Sequence, residues 1–254
     1  MPVIGPESRI NTMTEYGSAA ERIAAVQERV AAAIRRSGRR PGSVKIMAVT
    51  KFHPETAVRA AYEAGIRLFG ENRVQEAEQK FSNALRSELP GARLDMIGNL
   101  QSNKVNKALK IFDGIQSVSS LELFLSIAAR AVPRAEPIRL LLELHTAEDS
   151  KSGFPDETQL FNAAETYARM LSEQTEKISI CLAGLMTMAP FTADEAAVRA
   201  SFSRLRRVFE TIQQRFRLPD FEELSMGMSG DYEIAVEEGS TLIRVGTAIF
   251  GERQ

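Results

Sequence analysis

The chain has 254 residues, 44% of them apolar and 26% charged, and its 32 basic and 33 acidic side chains leave a net charge of −1. That balance speaks against nucleic acid or an anionic membrane as a partner, since both usually demand a basic excess. A single cysteine, Cys181, excludes an intrachain disulfide and a cysteine-built zinc site; its apolar setting suits a buried thiol better than a nucleophile.

The opening MPVIGPESRINTMTEYG has neither the basic start nor the apolar stretch of a signal peptide. No apolar run approaches the ~20 residues of a membrane helix, so a cytoplasmic protein is expected. Residues 1–16 scatter Gly, Pro, Ser and Asn without a period and read as a flexible arm. An extra N-terminal helix follows, with Ser18 and Glu21 as a capping box. Its apolar positions are Ile23, Val26, Val30, Ala33 and Ile34, and Gly38 and Pro41 stop it.

Short apolar runs then alternate with amphipathic stretches. The runs predict strands at Ile46–Val49, Arg67–Phe69, Leu94–Ile97, Gly114–Val118, Ile138–Leu144, Ile178–Leu185, Glu223–Met226 and Leu242–Val245. The clearest helix spans Asp194–Phe216, with Thr192 and Glu195 as caps and Leu205, Val208, Phe209, Ile212 and Phe216 on its apolar face. Eight strands separated by helices predict a single (β/α)8 TIM barrel over residues 17–254, with a doubly wound open sheet as the runner-up.

Barrels of this kind gather function at the C-terminal ends of their strands. Lys51 follows the first core strand, in Thr50-Lys51-Phe52-His53-Pro54. Among apolar walls a lysine can act as a neutral amine toward a carbonyl; the alternative is a solvated lysine at a strand end. The second and third strands lead into loops rich in Gly and amides, Gly70–Glu76 and Gly98–Lys104, which suit either an uncharged ring substituent or ordinary helix capping. After the seventh strand, Ser225-Met226-Gly227-Met228-Ser229-Gly230-Asp231 precedes a helical run, an arrangement that can cradle phosphate. The last strand gives Arg244-Val245-Gly246-Thr247, and barrels often bind phosphate on the loops after strands seven and eight. A surface ion pair is the plainer role for Arg244.

Four segments resemble the pyridoxal phosphate homeostasis proteins (the YggS/PROSC family): Ala48–Lys51, Phe69–Glu76, Ile97–Lys104 and Leu224–Gly251. Ser150–Gly153 and Gly184–Met186 also look like family segments, and the resemblance covers about residues 17 to 252. It implies a fold-type III barrel similar to the N-terminal domain of alanine racemase. It implies pyridoxal 5′-phosphate held as a covalent aldimine on Lys51. It further implies phosphate contacts from Ser225, Ser229, Gly246 and Thr247, Arg244 near the pyridine nitrogen, and Asn72 and Met226 lining the cofactor. Lys151 falls on a family lysine. The sequence departs from the family at Asp95, where His is common, at Asn99 and at His53.

An arginine has only donors and stays protonated, so a ring nitrogen facing it must be unprotonated, which weakens carbanion chemistry. With the chain ending at Gln254, no second domain is expected to supply an opposing acid or base. The expected function is therefore a cofactor carrier in pyridoxal phosphate homeostasis, delivering to apo-enzymes, without independent catalysis and without a metal. The rivals are an amino-acid racemase or decarboxylase using the same cofactor, a cofactor-free Schiff-base aldolase, and an interaction scaffold.

Overall fold

Parallel strands covered on both faces must be apolar almost throughout, and all eight apolar runs are strands. The computed structural model describes residues 6–146, 152–173 and 179–252. The strands are β1 (Lys45–Val49), β2 (Leu68–Glu71), β3 (Arg93–Met96), β4 (Gly114–Val118), β5 (Ile138–Glu143), β6 (Ile180–Met186), β7 (Glu223–Ser225) and β8 (Leu242–Val245). They pair in parallel in chain order, and β8 closes on β1 with Met47 opposite Arg244. The fold is the expected (β/α)8 TIM barrel. Among the described residues no helix is long and apolar enough to cross a membrane, and no cluster of His, Cys, Asp and Glu could hold a metal.

Two local expectations are corrected. The N-terminal helix, α1 (Pro6–Arg36), begins at Pro6, so residues 6–16 form its first turns instead of preceding it, and Ser18 lies within it. Proline suits the first turn, where its missing N–H would have no helical partner. The long helix after β6 (Glu195–Phe216) is capped not by Thr192 but by Asp194, whose carboxylate accepts the Ala196 N–H at 2.9 Å.

α1 packs Ile23, Val26, Val30, Ala33 and Ile34 against the helices that flank β8, Tyr232–Glu237 and Thr247–Phe250. Arg22 donates to the Ile249 carbonyl at 2.6 Å, and Arg39 donates to the Val236 and Ser240 carbonyls, both at 2.8 Å. α1 and the residues just after it thus hold the two helices that flank β8.

Alternation along the strands sends every second side chain into the barrel. That interior is divided. Met47, Leu68 and Leu242 form one apolar patch, and Leu141, Cys181, Ala183 and Met186 form another. Cys181 is the buried thiol expected, and burial pushes its pKa up. The rest of the interior is polar: Arg93, Asp95, Gln116, Glu223, Ser225 and Arg244, hydrogen-bonded to one another. β6 approaches β7 so closely that a Cβ on Gly184 would sit 1.8 Å from the Glu223 carbonyl oxygen; only glycine fits there.

Candidate functional site

The C-terminal strand ends surround a cavity of about 340 Å³. Six of the eight residues expected at the site line it: Lys51, Asn72, Ser229, Arg244, Gly246 and Thr247. Ser225 and Met226 do not. Ser225 ends β7 and points into the barrel, where its hydroxyl already bonds Arg244 and Gln116; Met226 is fully buried in the main apolar core. Lys151 and Ser150 lie outside the described residues. A larger cavity, about 480 Å³, lies at the opposite end between α1 and the starts of β1 and β2, but none of the expected residues reaches it. The mouth cavity is the one at the strand ends, where such barrels keep their sites.

Lys51 is half-buried and sits in a turn fixed by a buried network. Phe52 follows it at φ 66°, a conformation that bulky side chains rarely adopt. Such strain persists only where surrounding contacts impose it, and here they do. Lys80, 8% exposed, donates to the Thr50 carbonyl at 2.6 Å, to Glu71 at 2.7 Å and to Glu76 at 3.1 Å. Thr50 Oγ1 donates to Glu71 at 2.6 Å, and Glu76 accepts the Phe52 N–H. Burial raises the Glu71 pKa, against the pull of Lys80 and Thr50. For Glu76 burial acts in the same upward direction, yet the Phe52 N–H and Lys80 win and its pKa is lowered.

Arg244 rises from β8 beneath the cavity and is 4% exposed. Nη1 donates to Ser225 Oγ at 2.7 Å and Nη2 to the Thr187 carbonyl at 2.8 Å. Burial lowers its pKa to about 10, although Glu143 and Asp231 oppose the shift. Burial likewise raises both of those carboxyls.

The loops after β7 and β8 meet over this floor. Ser229 Oγ accepts the Ala248 N–H at 3.2 Å, leaving its own proton for another acceptor. Gly246 caps the short helix by accepting the Ile249 and Phe250 N–H groups, both at 2.9 Å. Asp231 lines the cavity and accepts the Met228 N–H, closing the Met228–Asp231 turn. On the far wall, a Cβ on Gly98 would come within 2.3 Å of the Asn72 carbonyl oxygen, so glycine lets the β3 loop pack directly on Asn72.

Sequence reasoning missed Lys80, Gln116, Thr187, Met228 and Asp231. For Gln116 a signal existed, a polar side chain in the middle of an apolar strand, which normally means a buried partner. For Lys80 the i,i+4 spacing from Glu76 was visible, but its contacts with the Thr50 carbonyl and Glu71, on a neighbouring turn and strand, were not.

The arrangement defines a class: a lysine-bearing (β/α)8 barrel of the kind described as the alanine racemase N-terminal domain, which matches residues 22–254. Within it, the pyridoxal phosphate homeostasis protein of Vibrio cholerae serotype O1 is 35% identical over 231 residues, 90% of this chain and 93% of that protein. The chain belongs to the pyridoxal phosphate homeostasis protein family. Among solved structures, one described as an unknown protein from Bifidobacterium adolescentis is 36% identical with a TM-score of 0.83, covering 98% of each chain. PipY of Synechococcus elongatus PCC7942, with PLP bound, is 37% identical with a TM-score of 0.75, covering 92% of this chain and 100% of that one.

Proposed function

We propose that the chain binds pyridoxal 5′-phosphate in the mouth cavity, with Lys51 as the amine that bonds its aldehyde carbon. It acts in cytoplasmic homeostasis of that cofactor, as a carrier for apo-enzymes rather than as an independent catalyst. The observation that carries this reading is the convergence of three donor types in one cavity: the Lys51 amine, the Arg244 guanidinium, and the hydroxyls and amides of the β7 and β8 loops. That donor set fits the group. When bound, the cofactor supplies an aldehyde that takes up amines reversibly and a phosphate that needs donors.

Ser229, Gly246 and Thr247 would hold the phosphate, on the two loops where barrels often bind it. Ser225 and Met226, expected from the resemblance to touch the cofactor, would act from below: Ser225 through Arg244, Met226 by packing the wall. Of the five N–H donors of Arg244 two are committed within the described residues. The remainder favour an unprotonated acceptor, because two donors cannot bond one another. Asn72 would flank the ring. The name and bound ligand of the relatives support the reading.

Asp231 favours a second reading, amino-acid racemisation or decarboxylation. Its carboxyl lines the cavity with a pKa raised by burial, as suits a general acid. The two readings part in one experiment. Holoprotein incubated with single L-amino acids should show no turnover beyond that of free cofactor by more than a small factor, yet should activate an apo-enzyme. Turnover lost in Lys51→Ala would establish the second reading. In the same preparation Ser229→Ala should weaken cofactor binding by roughly ten- to a hundredfold, the worth of one hydrogen bond to a charged group, and pyridoxal without phosphate should bind much more weakly. Equal affinity for the two forms would refute the phosphate cradle.

A further inference from the structure

The polar interior of the barrel forms a single file. Arg244 Nη1 donates to Ser225 Oγ at 2.7 Å, Ser225 Oγ to Gln116 Oε1 at 2.7 Å, and Gln116 Nε2 to Asp95 Oδ2 at 2.7 Å. Arg93 grips both oxygens of Asp95, at 2.9 and 2.7 Å, and both oxygens of Glu223, at 2.8 and 2.9 Å. Asp95, Gln116, Ser225 and Arg244 are each at most 4% exposed. The file runs from the base of the barrel to the floor of the mouth cavity.

Its direction is fixed by chemistry. Arg244 can only donate, so the one proton of Ser225 must go to Gln116. Gln116 therefore turns its oxygen toward Ser225 and its NH2 toward Asp95, whose two oxygens are acceptors held by Arg93. Reversing the amide would leave the Ser225 proton without an acceptor and set two oxygens against each other. Neither the hydroxyl nor the amide has a second arrangement of comparable energy, since buried polar groups left unpaired are costly.

The file also separates charges. Arg93 and Arg244 carry two positive charges, Asp95 and Glu223 two negative ones, and both carboxylates lie at the Arg93 end. The hydrogen-bond partners of Arg244 are neutral, Ser225 Oγ and the Thr187 carbonyl. Among the described residues the guanidinium is thus oriented by neutral hydrogen-bond partners, with the Glu143 and Asp231 carboxyls acting on it electrostatically.

We propose that Gln116, acting through Ser225, is a positioning residue for Arg244: it holds the guanidinium under the cavity while keeping the Asp95 carboxylate away from it. This rests on the proposed binding of pyridoxal 5′-phosphate above Arg244. By this role Gln116 sets both the affinity for the cofactor and the proton state of its ring.

The test titrates purified apoprotein with pyridoxal 5′-phosphate and records the visible spectrum across pH, alongside the melting temperature without cofactor. Gln116→Leu and Ser225→Ala should each weaken binding about tenfold or more, as expected for a lost charge-linked hydrogen bond, and should shift the visible band or its pH midpoint. The double variant should bind no more weakly than the weaker single, because the two residues act in series. Gln116→Glu keeps the shape and replaces the NH2 with a group that donates to Asp95 only when protonated. It should bind like wild type at low pH and lose affinity as pH rises, and it reads out the relay even where Gln116→Leu does not fold. Variants that fold and keep the wild-type spectrum, pH midpoint and affinity within twofold would overturn the relay, as would additive losses in the double variant. A wild-type protein with no visible band would overturn the cofactor reading itself, which separates the two failures.

Discussion

Two buried polar assemblies hold the two sides of the proposed site, and they are built in opposite ways. Under the Lys51 turn, Lys80 touches Glu71 and Glu76 directly, so its charge is matched where it stands. Under the cavity floor, the hydrogen-bond partners of Arg244 among the described residues are a hydroxyl and a carbonyl; the Glu143 and Asp231 carboxyls act on it electrostatically, and the carboxylate along its file lies beyond Ser225 and Gln116. A cation that serves to hold a turn can be neutralised on the spot. In the proposed site, the cation that would meet the ligand is instead held by neutral hydrogen-bond partners.

The difference predicts which substitutions act on stability and which on binding. The largest stability effect is expected at Lys80. Removing one member of a buried ion pair strands the other and typically costs ~3–5 kcal/mol. Lys80→Met should lower the unfolding free energy by about that amount in urea titrations, and a loss under ~1 kcal/mol would show that the turn is held by other means.

A smaller effect is expected at the base of the Arg244 file. Burial pushes the Glu223 pKa up, but Arg93, Arg139 and Lys45 outweigh it and hold the group down at about 2, against an ordinary 4.5. A folded pKa below the unfolded one stabilises fully above pH 4.5, and that stabilisation fades as pH falls toward 2. The drop from 4.5 to about 2 bounds the contribution at about 3 kcal/mol. Glu223→Gln should therefore be less stable at neutral pH and should lose less stability than wild type between pH 4.5 and 2. An identical acid limb in the two proteins would mean that Glu223 is not held as described.

The eight strands were legible because strands buried on both faces read as unbroken apolar runs, and their observed limits differ from the expected ones by one or two residues at most ends. The first turns of α1 were not legible, because residues 6–17 mix Pro, Gly, Ser and Asn with no apolar period. At the site, Ser225 reads as one of the Ser and Gly residues of its loop. Its spacing of two from Glu223 places it instead on the inward face of β7, and that spacing was visible in the sequence. The file through Gln116 was not, because it depends on how β3, β4, β7 and β8 face one another across the barrel, which no local pattern specifies. Met228 and Asp231 lay in a segment already singled out, but which of its side chains turn toward the cavity is decided by the Met228–Asp231 turn.

The central claim is that Lys51 is the amine that takes up the cofactor. The direct measurement is to load the wild-type protein with pyridoxal 5′-phosphate, treat it with borohydride, and map the fixed adduct by peptide mass spectrometry. The account predicts one adduct, on Lys51, together with loss of the visible band on reduction, and no fixed adduct in a Lys51→Ala protein that melts as wild type does. An adduct on another lysine with Lys51 unmodified would contradict it.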